Sequence, residues 1–168
     1  MLPELLQIKR VIASRGFLFN DENKLLVVSK DDDRFYLPGG WCDDGEPVTV
    51  ACCREIEEEA GLKTTHDKVI FVEEVVTNDT WVKNGLLHRI DFFSIVSSNN
   101  YTLDPSFVDK DDGLIKHRKF ISESDWLNDN NIYAPVSLKK MKFSEIKQLL
   151  SCYNRRIGGN ASHLLPLI

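Results

Sequence analysis

Glu46, Arg54, Glu55, Glu58 and Glu59 recur at set intervals within GWCDDGEPVTVACCREIEEEAGL, residues 40–62. Carboxylates grouped around one arginine form a hard-oxygen donor set of the kind that takes a divalent cation. Pro47 suits the first turn of a helix, where its missing N–H costs nothing, and Gly61 suits a left-handed stop. A helix is therefore expected over about residues 47–60. Each step along it turns roughly 100°, so Glu55, Glu58 and Glu59 fall within an arc of roughly 100° and leave from one face. Cys52, Cys53, Ile56 and Ala60 occupy a neighbouring arc, the natural core-facing stripe. Glu57 points to a different side. Arg54 precedes Glu58 by four residues, within reach of an ion pair along the helix.

Three like charges on one helix face repel and weaken the helix. A cation resolves that conflict, and Mg²⁺ is commonly held by carboxylates together with substrate phosphates. An acidic run alone is more often a solvated face. Here the glycines and the arginine at their particular offsets favour a metal site.

The elements that must position these residues can be read in outline. Val11 to Phe19 is rich in strand formers, Asn20–Asn23 reads as a turn, and Lys24–Val28 as a second strand, together a hairpin signal. Asp31–Asp33 is expected to be a loop. Phe35–Leu37 is a short strand entering the permissive turn Pro38-Gly39-Gly40. After the helix, Val69–Val72 with Val75–Val76, then Leu86–Val96, then His117–Ile121 read as strands, with a helical turn at Ser124–Leu127. Ser144 to Tyr153 carries Ile146, Leu149, Leu150 and Tyr153 at helical spacing behind Ser144 as N-cap, so a terminal helix is expected. Strands on either side of one central helix give a mixed α/β layered domain.

The stretch 40–62 resembles the Nudix box of the Nudix hydrolase family: Gly, five residues, Glu, seven residues, Arg-Glu, an aliphatic, one residue, Glu-Glu, one residue, Gly, an aliphatic. Gly40, Glu46, Arg54, Glu55, Ile56, Glu58, Glu59, Gly61 and Leu62 fill every specified position. At average residue usage such a coincidence is expected on the order of once in 10⁷ sequences. Leu37-Pro38-Gly39-Gly40-Trp41 resembles the family's lead-in, and the resemblance covers about residues 10–155.

The resemblance implies an α/β/α sandwich with a mixed β-sheet and a central catalytic helix. It also implies Mg²⁺- or Mn²⁺-dependent hydrolysis of a nucleoside diphosphate linked to another moiety, by water attack at phosphorus. Carried over by position, Glu58 and Glu59 are the principal metal ligands. Glu55 is a further ligand or the base, and the Gly40 carbonyl a further donor. Arg54 orients and charge-balances the carboxylates, so the catalytic set is Glu55, Arg54 and Glu58. Glu46 supports the helix start. Many members use one more Glu well after the box; here the late strand reads Lys116-His117-Arg118-Lys119, Asp111 and Asp112 are the nearest acids, and Glu55 becomes the preferred base. Arg34, Trp81, His88 and Arg89 are candidates for base or phosphate contact, each more readily explained by packing or surface charge. Residues 77–81 carry neither the Pro nor the Tyr associated with subgroups acting on ADP-ribose or dinucleoside polyphosphates, so the sequence selects no particular nucleotide.

Composition agrees with this class. A length of 168 residues with 42% hydrophobic and 28% charged residues suits one soluble domain, 1–168. The net charge of −5, with no basic stretch to offset it, makes a nucleic-acid partner unlikely and weighs against the alternative of an RNA 5′-end pyrophosphohydrolase. The other alternative, a silent nucleotide-binding module, sits poorly with a full set of carboxylates. Cys42, Cys52, Cys53 and Cys152 show no zinc spacing. With no leader-like or membrane-length apolar run, the cytoplasm is the expected compartment. Homodimers are common in the family.

Overall fold

The computed structural model describes residues 7–31, 33–79, 85–110, 114–149, 152–157 and 162–166. Trp81, Asp111 and Asp112 lie outside them. Strand β1 (Gln7–Leu18) and strand β2 (Leu25–Ser29) are joined by a tight turn in which Asn20 Oδ1 accepts from the Lys24 N–H at 2.8 Å. The turn is where the sequence places it, but the hairpin is not. A single antiparallel bridge, Phe19 to Leu25, links the two strands before they diverge into different sheets. The reason is visible in the burial. All five residues of β2 are buried, so it needs cover on both faces.

Short strands β3 (Phe35–Tyr36) and β4 (Gly39–Trp41) lead into helix α1 (Val48–Ala60). Pro47 is the cap just outside that helix, with extended ψ of 139°. Gly61 ends it in the left-handed region at φ 72°, its N–H returning to Glu57 O. The segments at 69–76 and 86–96 belong to two long strands, β5 (Thr65–Asp79) and β6 (Gly85–Ser97). There follow β7 (His117–Ile121), α2 (Glu123–Asn128), β8 (Ile132–Tyr133), α3 (Val136–Lys139) and α4 (Phe143–Gln148), then β9 (Cys152–Ile157) and β10 (Ser162–Pro166).

Sheet A is mixed, in the order β10-β9-β5-β6-β1-β4, and sheet B runs β7-β2-β3-β8. The expected terminal helix is therefore cut short. Helix α4 stops after Gln148, Leu149 turns extended at ψ 128°, and Tyr153 lies in β9, paired in parallel with Val72 of β5. Pairing with a central strand outweighs the helical spacing of four apolar residues.

Two cores fill the layers. Phe17, Leu25, Val27, Phe71 and Phe93 meet Trp126, Leu138, Phe143 and Ile146 of the short helices on one side. Leu18, Leu26 and Val96 meet Cys52, Ile56 and Ala60 of α1 on the other. Cys53 is only half-buried, while Ala51 and Glu55 are buried with the stripe. The architecture is the expected α/β/α sandwich. Among the described residues no helix is long and apolar enough to cross a membrane.

Candidate active site

Strand β4 sits at the edge of sheet A, antiparallel to β1, with Ser14 opposite Gly40 and Arg15 opposite Gly39. Gly39 has φ +142°, and a Cβ there would lie 2.1 Å from the Ser14 carbonyl oxygen, so only glycine fits. At Gly40 the limit is space: a Cβ would stand 2.6 Å from both carboxylate oxygens of Glu55. The glycine turn thus lets α1 press its acidic face against the strand edge.

Arg54 organises that face. Its Nε and Nη2 donate to the two oxygens of Glu46, both at 2.9 Å, a bidentate pair. Its Nη1 donates to Glu55 Oε1 at 3.0 Å and Glu58 Oε2 at 2.7 Å, and Nη2 also reaches the Trp41 carbonyl at 3.0 Å. The hydrogen bonds it donates to Glu46, then the one to Glu58, raise the guanidinium above its ordinary pKa, and Arg54 in turn holds Glu46 below the usual carboxylate range. The expected pair with Glu58 is present, and Glu46, placed at the helix start, is Arg54's main partner. Glu57 lies outside the cleft, paired with Lys110 at 3.3 Å.

Glu59 points inward. Its Oε2 accepts from the Gly39 N–H at 2.9 Å. Burial pushes its carboxyl up to about 8, reinforced by the charges of Glu55 and Asp109 and opposed by the Gly39 N–H and Arg15. Glu55, Glu58 and Glu59, with Gly39 and Gly40, line one cleft of about 1090 Å³. Its other walls carry Lys9, Arg15, Lys30, Tyr36, Trp41 and Lys110.

The donor set fits a hard divalent cation. Three carboxylates face one cleft, Glu59 among like charges, and the missing side chain at Gly40 leaves them room. Among the described residues, no three acidic, His or Cys side chains converge on one point. Glu55 and Glu58 are instead turned onto Arg54, and Glu59 onto Gly39. Arg54 stands in for positive charge at this acidic face.

The structure adds a positioning residue that the sequence reading passed over. Arg118, in the basic stretch of β7, donates to three carbonyls: Glu59 at 3.0 Å, Phe107 at 2.7 Å and Ile115 at 3.3 Å. Its guanidinium also lies 5.1 Å from the Phe107 ring centroid. It ties Phe107 and Ile115 to the last turn of α1, where a cation also complements the helix dipole. Between them in sequence, the buried Asp109 accepts from the Ile115 N–H at 2.9 Å, and the Lys110 N–H donates to Glu58 O at 3.2 Å. Nothing in the spacing of residues 116–119 signals this role, because the partners are backbone groups distant in sequence. The remaining candidates are tied up elsewhere. Arg34 pairs with Asp31 at 3.2 Å, His88 with Glu74 at 2.8 Å and Arg89 with Asp91 at 2.7 Å; none lines the cleft.

Fold and site together define a class: an α/β/α domain whose acidic helix is seated behind a glycine turn. The NUDIX domain model matches residues 9–131, and the chain belongs to the NUDIX family. Over 58 residues it is 36% identical to the putative ADP-ribose pyrophosphatase YjhB of Bacillus subtilis, a match covering 34% of this chain and 28% of that protein. Over 71 residues it is 37% identical to the 8-oxo-dGDP phosphatase NUDT18 of Homo sapiens, covering 41% and 21%. The match thus spans less than a third of either curated relative. Among solved structures, a NUDIX-family hydrolase from Clostridium perfringens superposes with a TM-score of 0.59 at 20% identity, covering 83% of this chain and 97% of that one. An ADP-ribose pyrophosphatase from Streptococcus suis gives 0.54 at 19%, covering 85% and 98%. At such identities the likeness is one of fold.

Proposed function

We propose that this chain is a Mg²⁺- or Mn²⁺-dependent hydrolase of a nucleoside diphosphate linked to another moiety. The observation that carries the reading is the shared cleft of Glu55, Glu58 and Glu59 behind Gly39-Gly40. Glu58 and Glu59, with the Gly40 carbonyl and Glu55 alongside, would hold the ion. When bound, it supplies Lewis acidity at the phosphoryl oxygens and a water of lowered pKa.

The chain's own residues do the rest. Glu55 takes the proton from the attacking water, whose oxygen bonds to phosphorus as the bond to the bridging oxygen breaks. The bridging oxygen leaves with that electron pair, giving a nucleoside monophosphate and the phosphorylated remainder. Arg54 holds Glu55 and Glu58 in register through one nitrogen, and Glu46 holds Arg54. The Gly39 N–H fixes Glu59. The cations on the facing wall suit an anionic substrate. We take the whole chain as one domain, because β9 and β10, beyond the family match, extend sheet A beside β5.

Chromatographic product assays for nucleoside monophosphate and phosphorylated remainder, over a panel of nucleoside diphosphate derivatives and a 5′-triphosphorylated RNA, with Mg²⁺ and with Mn²⁺, test this. Turnover of at least one nucleoside diphosphate derivative is expected, abolished by chelation. No turnover of any compound, with unchanged nucleotide binding in Glu58→Gln, would leave only a binding module.

A further inference from the structure

The cleft that holds the three glutamates is also lined by an arginine to which the proposed reaction gives no role. Side chains alternate along β1. A Cβ at Gly16 would meet Ile56 and Cys52 of α1, so Arg15 leaves from the opposite face of sheet A. There its Nε lies 3.6 Å from Asp91 Oδ1, and its Nη1 donates to the Gly39 carbonyl at 3.4 Å. Asp91, on β6, is 1% exposed and also accepts from Arg89 Nε at 2.7 Å. The guanidinium is thus hydrogen-bonded through Nη1 to Gly39 alone, with Asp91 at ion-pair distance, and its Nη2 has no partner among the described residues. It lines the cleft beside Glu59 and Gly39, and its charge is one of those that bear on Glu59. Lys9 and Lys30 line the same cleft and have no carboxylate partner among the described residues; Lys9 Nζ rests 4.1 Å from the Trp41 ring centroid.

A carboxylate buried this deeply, hydrogen-bonded to Arg89 and at ion-pair distance from Arg15, is weak grounds for a stability role, because desolvation offsets the Coulombic gain. It does fix direction. A planar guanidinium held through Nη1 beside a buried carboxylate, in a cleft and with Nη2 unpartnered, matches the geometry of phosphate oxygens.

The geometry points to an anion subsite in which Arg15, oriented by Asp91, takes a phosphate oxygen of the ligand, with Lys9 and Lys30 supplying further positive charge. That the ligand is a diphosphate ester rests on the proposed hydrolase reading; the subsite itself requires only a phosphate.

Calorimetric titration of the full chain with inorganic pyrophosphate, in Mg²⁺ buffer and in chelator, is the test. The wild type binds in at least one buffer, and Arg15→Gln weakens binding by about tenfold or more while its thermal midpoint stays near that of the wild type. Arg15→Lys recovers part of the affinity, as a point charge without the fork. Asp91→Asn weakens binding in the wild-type background and adds little in the Arg15→Gln background, the non-additivity of a residue acting through another. Should Arg15→Gln fail to fold, Arg15→Lys carries the test through its several-fold loss. Wild-type affinity in the folded Arg15 variant, an Asp91→Asn effect of equal size in both backgrounds, or no pyrophosphate binding in either buffer would overturn the subsite. Turnover with an unchanged KM in Arg15→Gln would overturn it and leave the hydrolase reading intact. Arg15-dependent pyrophosphate binding without turnover of any panel compound would do the reverse.

Discussion

Each of the three glutamates occupies a different electrostatic setting, and the settings predict different variants. Glu55 and Glu58 share an arginine nitrogen, whereas Glu59 is half-buried with a single backbone donor and carboxylates nearby. Its charge is disfavoured in the metal-free fold, so Glu59→Gln should stabilise that form while impairing function, the usual exchange at strained sites. A gain of about 1–2 kcal/mol is expected, or a thermal midpoint raised by roughly 2–4 °C per kcal/mol at this chain length. Calorimetry of the chelated protein checks this; a lower midpoint contradicts the reading of Glu59 as a carboxylate whose charge the metal-free fold disfavours.

Glu55→Gln should lower kcat by about 10²–10⁴-fold, the range for a lost general base. A loss of less than tenfold would move that role elsewhere. Cys52 gives a test independent of activity. Burial pushes its thiol up to about 12, and the side chain is inaccessible. A thiol reagent at pH 8 should leave it unmodified in the folded protein and label it in denaturant, as mass spectrometry of the peptides would report.

At the scale of elements, the acidic helix was largely legible in the sequence, because its signals are local. Gly61 as the stop, Arg54 four residues before Glu58, and the period that turns Glu57 aside all lie within one element. Signals crossing between elements were harder to read. Tyr153 has helical spacing yet pairs with Val72 in a strand, a contact spanning nearly half the chain. Likewise Arg118 reads as one more basic residue until β7 is placed beside the last turn of α1. Its three carbonyl partners predict that Arg118→Met costs about 1.5–3 kcal/mol, the range for hydrogen bonds to a charged group. Amide exchange should rise over residues 107–110 and 115 and in the last turn of α1, while sheet A stays protected. Unchanged exchange in the loop would show that the clamp is dispensable.

For the whole molecule, layer order follows from strand character. Buried β2 and the two long strands β5 and β6 demand cover on both sides, supplied by α1 and by α2–α4. The assignment of strands to two separate sheets was not legible, because one bridge at Phe19 and Leu25 ends a hairpin that local pattern would continue. The cleft likewise belongs to the assembled molecule: its acidic wall comes from α1, and Lys9 and Arg15 come from β1. An ion bound only by the folded state adds stability by mass action, about 2.7 kcal/mol at a concentration a hundredfold above Kd. Mg²⁺ should therefore raise the thermal midpoint of the wild type and leave that of Glu58→Gln nearly unchanged.

The central claim is that one face of α1, and not its acidity in general, is the reactive surface. Paired rate measurements on Glu58→Gln and Glu57→Gln, across a Mg²⁺ titration with a panel compound that the wild type turns over, test it most directly. Both variants remove one negative charge from adjacent positions. Glu58→Gln is expected to lose about 10²-fold or more in kcat/KM, about 2.7 kcal/mol of transition-state stabilisation, while Glu57→Gln stays close to wild type. Equal losses in the two variants, or a silent Glu58→Gln, would contradict it.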